Sequence, residues 1–202
     1  MKDETTRAQG RGKVRALLAG GLVLGVGATV VLAAWNDSEF GTGTFTAGAF
    51  NMQGSTDGSA FSDHASAPGA TLPFSVNPGN LAPGDTVYAP FAVRLAANTS
   101  TGATVTVNGA TAGGSSIANL SYQLLQTTTF GCDASTTGTD LVTAGTALGG
   151  TLSGVTFDLD AGSPATDPGD PVFLCFKVTA GAGLVQGQSG TATWELSAAS
   201  TS

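Results

Sequence analysis

The chain has 202 residues, 30 of them glycine, with only 10% charged side chains and a net charge of −7. Five of its seven basic residues precede residue 16, and beyond Ala34 only Arg94 and Lys177 stand against twelve acids. A body this acidic has no patch to neutralise phosphates and is repelled by anionic head groups, which argues against nucleic-acid binding and against electrostatic attachment to a membrane.

The first element follows from that asymmetry. Lys2, Arg7, Arg11, Lys13 and Arg15 are followed by the uncharged run Ala16 to Ala34. A basic region before an apolar stretch that ends in small residues predicts a secretory signal helix over residues 1–34, with a secreted domain over 35–202. A retained anchor is the rival, since about 20 apolar residues span a bilayer. Gly20, Gly21, Gly25 and Gly27 weaken a permanent helix, and Ala33-Ala34 suit a peptidase. Leu32, three residues before the cut, is a poor fit to an ordinary one.

The body reads as strands. Thr44, Phe45, Thr46, Ala49 and Phe50 predict a first one. Val87, Ala89, Phe91, Val93 and Leu95 alternate strictly, so one face of that strand points into a core. Val105 and Val107 repeat the period, as do Leu120, Tyr122 and Leu124, then Val155, Phe157 and Leu159. Val172, Leu174, Phe176 and Val178 follow, and Ala192, Trp194 and Leu196 close the series. With Gly, Pro, Asn and Asp between the runs, the expected fold is all-β: a jelly-roll-like antiparallel β-sandwich preceded by the signal helix. Pro83-Gly84 predicts a type II turn, and Pro168-Gly169-Asp170-Pro171 a break before Val172. Pro90 inside a good strand predicts an edge or a bulge there.

The run Leu32-Ala33-Ala34-Trp35-Asn36-Asp37-Ser38, then Gly43-Thr44-Phe45-Thr46-Ala47-Gly48-Ala49-Phe50, resembles the start of TasA/camelysin-type secreted proteins. Asn80-Leu81-Ala82-Pro83-Gly84-Asp85 is similar to a turn of that family, and Thr191 to Ala198 falls where its last strand lies. The resemblance implies an alternate signal peptide cut between Ala34 and Trp35 by a dedicated SipW-type signal peptidase, so that Leu32 is no obstacle. It also implies a structural protein of the cell envelope or of a biofilm-like matrix. Residues 110–190 match no motif of the family.

Candidate chemistry is sparse. Cys132 and Cys175 are the only cysteines, and in an exported chain an even count predicts a disulfide, with a free buried thiol as the alternative. Asp158, Asp160, Asp167 and Asp170 crowd within thirteen residues, a density compatible with Ca²⁺ but without EF-hand or nonapeptide spacing, so a solvated loop is expected. His64 is the single histidine, in the Ser/Gly/Asp-rich stretch Ser55 to Gly69 that reads as a flexible loop. A zinc site with two imidazoles is therefore unavailable, and no G-x-S-x-G elbow accompanies it. The expectation is a protein that is no enzyme, takes no cofactor and touches the membrane only through its signal segment.

Two functional readings remain. In the first, the cut frees residues 35–50 as a donor strand anchored by Trp35, Phe40, Phe45 and Phe50, which adds to the sheet edge of a neighbouring copy and builds fibres. The same segment is equally readable as the first strand of its own sandwich. In the second, the chain is a monomeric secreted binding module that uses its loops on a surface partner.

Overall fold

The computed structural model describes residues 38–44, 47–75, 78–114 and 117–201. The expected signal segment, the junction at Ala34 and Trp35, and the side chain of Phe45 lie outside them. Met1–Phe45 and Thr46–Ser202 are two compact units, and every described strand belongs to the second. Those strands are β1 (Met52–Ser55), β2 (Thr86–Leu95), β3 (Ala103–Gly114), β4 (Leu120–Thr127), β5 (Thr139–Ala147), β6 (Thr156–Leu159), β7 (Val172–Ala180) and β8 (Gly190–Ser200).

All strand pairs are antiparallel and make two sheets, in the orders β1-β2-β7-β4-β5 and β6-β3-β8. An eight-stranded jelly roll has one sheet in the order 2-7-4-5 and one in the order 1-8-3-6. The strand order here is that of a jelly roll with one change. β1 sits outside β2 in the larger sheet, and the place beside β8 in the smaller sheet holds no described strand.

The alternation seen in the sequence explains the core. Val87, Val93 and Leu95 of β2, Leu124 of β4 and Leu174, Phe176 and Val178 of β7 face Val105 and Val107 of β3 and Phe157 and Leu159 of β6. Nearly all are 0–6% exposed. Each such burial stabilises by roughly 1.5–3 kcal/mol.

The outer face of the larger sheet is covered as well. Ala92, Leu125 and Cys175 are buried on that side, where Leu125 lies opposite Cys175 and Ala92 opposite Phe173. The loop after β4 folds over them. Phe130 meets Phe173 edge-on at 6.0 Å, and Cys132 is bonded to Cys175 across a Cα–Cα distance of 5.1 Å. The loop after β1 lies alongside. Phe61 stacks under the Arg94 guanidinium at 4.0 Å, and Gly58 lies so close to Phe130 that a Cβ there would fall 2.6 Å from the ring. The part from Ser55 to Ser62 of the expected loop thus packs on the sheet through Gly58 and Phe61, while Asp63 to Gly69 is exposed.

Three other expectations change or sharpen. Pro90 is not on an edge strand, since β2 lies between β1 and β7. Tyr88 accepts a bond on its outer side from the Ser75 N–H (2.8 Å), so Pro90, two residues on, also turns its nitrogen outward. It falls in the gap between Ser75 and the start of β1 pairing at Ala92, where no N–H is required. Among the described residues the first strand begins at Met52, and Thr44 and Ala47 to Phe50 lie in none, while Phe45 and Thr46 fall outside them. Ala49 to Asn51 instead join the β2–β3 turn, with the Ser100 N–H donating to Ala49 (3.3 Å) and the Ala96 N–H to Asn51 (2.9 Å). The Pro83-Gly84 turn is as expected: Gly84 has φ +92° and the Asp85 N–H donates to the Ala82 carbonyl at 3.0 Å.

Candidate functional site

An unpaired strand edge offers a row of main-chain donors and acceptors, so proteins usually shorten, bend, charge or cover their edges. Three of the four sheet edges here are managed in that way. β1 is covered by Ser62, which exchanges two 3.0 Å bonds with Gly54. β5 pairs with β4 through two register shifts. β6 is four residues long and carries Asp158, with Asp160 just past its end.

β8 is different. It runs for eleven residues with Glu195 as its one charge, and the register irregularity beside it lies on β3, between Val107 and Ala110. Among the described residues it pairs only with β3. The direction of its unpaired groups follows from parity. The Thr201 N–H donates to Gly102 (2.9 Å), and Val107 turns its own N–H away from β8 to Val155 (2.9 Å). In an antiparallel ladder paired residues alternate between bonded and non-bonded. Leu196, opposite Val107, and Ala198, opposite Val105, are therefore non-bonded pairs with N–H and C=O directed outward. Trp194 and Ala192 share their parity.

The same residues carry the apolar side chains of β8. Ala192, Trp194, Leu196 and Ala198 point toward the core yet are only partly buried, whereas Val105 and Val107 on the neighbouring strand are 0–1% exposed. Trp194 is the centre of an aromatic group, with Phe176 at 5.0 Å, Tyr122 at 5.9 Å and Phe74 at 6.2 Å. Burial pushes the Tyr122 hydroxyl above its ordinary pKa of 10.0, and the Trp194 indole beside it pulls the other way. Neither the Tyr122 hydroxyl nor the Trp194 N–H completes a hydrogen bond of good geometry, although both are shut off from solvent.

Elsewhere Arg94 Nε and Thr99 Oγ1 are likewise buried without a partner. A shallow cleft of about 220 Å³ on the outer face is lined by Tyr88, Gln123, Lys177, Thr86 and Thr179. Lys177 donates to the Thr136 carbonyl (2.7 Å), Gln123 to Asp140 (2.6 Å), and the two threonine hydroxyls bond each other (2.9 Å). His64 is exposed, with its Nε2 3.4 Å from the Ser62 hydroxyl. Asp158 accepts from Thr104, and among the described residues no three acidic, histidine or cysteine side chains converge on one point.

The donor anchors read from the sequence are only partly described. Phe40 is 94% exposed and Phe50 43% exposed, while Trp35 and Phe45 lie outside the described side chains. Among the described residues, Phe40 and Phe50 are two of the three exposed large hydrophobics. Their spacing of ten places both on one face if the segment is extended, with Trp35 and Phe45 on the other. The free edge of β8 escaped the sequence, because strand order decides which edge is free. One signal was present: the last strand has a single charge in eleven residues. No family model matches this chain, and no curated protein does either.

Proposed function

We propose that this chain is an exported structural subunit of the cell envelope or extracellular matrix, without catalytic activity, which elongates by strand donation. In this reading a SipW-type peptidase cuts between Ala34 and Trp35, and the TasA-like resemblance of that junction is the reason for naming the peptidase. The segment from Trp35 onward is then released from the membrane. It lies along β8 of another copy, in the place that a jelly roll gives its first strand. One observation carries the reading: β8 is long, nearly uncharged and unpaired on its outer side among the described residues.

The chemistry of the pairing is simple. The outward N–H and C=O groups of Trp194, Leu196 and Ala198 supply the main-chain bonds that any extended peptide can make. Affinity for one peptide over another comes from the side chains that enter between the sheets beside Trp194 and Leu196. Phe40 and Phe50 are exposed and fall on one face of an extended donor, so Phe40 is assigned as an anchor of the donor. A head-to-tail contact of this kind does not close on itself and gives a filament.

The test is size-exclusion chromatography and electron microscopy of the secreted chain as it is concentrated. The unaltered protein is expected to elongate. Ala198→Pro, which removes one outward N–H and no bond to β3, and Phe40→Ser, which alters an exposed side chain, are both expected to leave folded monomers. A chain that stays monomeric at every concentration would favour the secreted binding module instead. Filaments that persist in both variants would exclude this edge and this anchor.

A further inference from the structure

The space beside Trp194 is partly filled by the chain's own residues. Thr71 to Ser75 form no strand, yet Leu72 and Phe74 are partly buried against the core while Pro73 and Ser75 are exposed. The segment spans the open side of the sandwich. At one point the Ser75 N–H donates to Tyr88 of β2 (2.8 Å), and at another the Phe74 ring packs on Trp194 of β8 (6.2 Å). Its remaining backbone bond is internal, from the Phe74 N–H to the Leu72 carbonyl (3.0 Å). Among the described residues it makes no backbone hydrogen bond to β8. The segment therefore covers the side chains of the groove and leaves the main-chain edge unpaired.

We infer that Leu72–Ser75 is an internal plug, which holds the β8 groove until a donor strand from a second copy displaces it. The inference rests on the strand-donation reading above and adds its regulation. An incoming strand that places apolar side chains beside Trp194 needs the volume that Phe74 fills. It also gains what the plug lacks, a ladder of bonds to Trp194, Leu196 and Ala198. The balance between the two states then sets how readily subunits join. A protein whose binding-competent state is a minor fraction shows an apparent affinity reduced by that fraction, so a plug that is out in roughly one molecule in ten costs about tenfold. The bond at Ser75 and the packing of the Leu72 and Phe74 side chains hold the plug.

The experiment titrates a fluorescent synthetic peptide spanning residues 35–51 into the secreted full chain, read by anisotropy. Two variants are compared with the unaltered protein. Ser75→Pro deletes the bond to Tyr88 and keeps both apolar side chains, and the double variant Leu72→Ser, Phe74→Ser empties the groove. Melting curves establish that each variant is folded, and Ser75→Pro serves if the double variant is not. The plug predicts about tenfold tighter peptide binding by the variants, with protection of the β8 amides from hydrogen exchange on binding. Peptide binding by the unaltered chain that is equal or weaker in the variants would overturn the plug and leave strand donation standing. No binding by any of the three would overturn strand donation and the plug with it.

Discussion

The two sheets of this sandwich are finished to different degrees. The larger one is covered on both faces: its inner side packs on the core, and its outer side lies under two loops, one of them bonded through Cys132–Cys175. The smaller one is three strands wide and ends on β8, whose inward side chains are only half shielded. A protein of this size needs only a part of its surface to make one stable core. The contrast indicates where stability is concentrated and where, among the described residues, a sheet edge stays open.

The sharpest way to break this contrast is to remove the disulfide. It closes a loop with a sequence separation of 43 residues. By the chain-entropy argument Cys132→Ser with Cys175→Ser is expected to cost about 4 kcal/mol, which is about 8–16 °C in melting temperature for a domain of this length. Calorimetry with and without a reductant measures it, and a shift of only a degree or two would show that the outer layer contributes little.

A paired truncation probes the two sheets directly. Leu174→Ala on β7, at a position 1% exposed, is expected to cost about 2–5 kcal/mol. Leu196→Ala on β8 removes the same atoms from a partly exposed position and is expected to cost about 1 kcal/mol. Urea unfolding of both variants gives the difference. Equal costs would mean that β8 is as well covered as β7.

The smallest effect concerns the turns that carry the outer layer. The N–H groups of Ala60 and Ser59, with the Ser55 and Ser59 hydroxyls, hold the Asp57 carboxyl far below its ordinary pKa of 3.8. The Ser135 and Thr136 hydroxyls and the Ser135 N–H act likewise on Asp133. A depressed folded-state pKa means that the unfolded chain binds the proton first. The stabilisation is therefore complete above the ordinary value and is lost as pH falls below about 4. Limited proteolysis with an acid-active protease is expected to open residues 57–60 and 133–136 before the core, and Asp57→Asn is expected to make the first turn cleavable at neutral pH. Cleavage independent of pH would remove these carboxylates from the account.

Much of this fold was legible in alternation. The runs at Val87–Leu95, Leu120–Leu124 and Val172–Val178 became central strands because a period of two with β-branched and aromatic residues leaves few other ways to bury a face. β5 was missed: Thr139–Ala147 buries only Val142 fully and is held by its ladder with β4, a tertiary effect without a local period. The adjacent pair Leu124-Leu125 did carry a signal that the sheet is covered on both sides. It is the outer loop that makes use of Leu125. Pro90 predicts an edge or a bulge; β2 has no bulge there and is an inner strand, yet β1 pairs only from Ala92 on, so the side that Pro90 faces needs no N–H. The free edge of β8 and the Leu72–Ser75 segment depend on how distant parts of the chain meet, and local sequence does not encode that directly.

The docking of Ala49 to Asn51 on the turn at Ala96 to Ser100 has a consequence for growth. In the proposed strand donation it sets the point on the sandwich from which a donor segment starts. A departing segment with a set origin has a set reach, so every joint in a chain of copies would repeat with the same spacing. In the proposed filament the two tips are chemically unlike: one offers the outer side of β8, the other a donor segment that has not been inserted. Growth by the proposed strand donation would have a direction, and a single copy lacking its donor segment would terminate one tip while leaving the other able to extend.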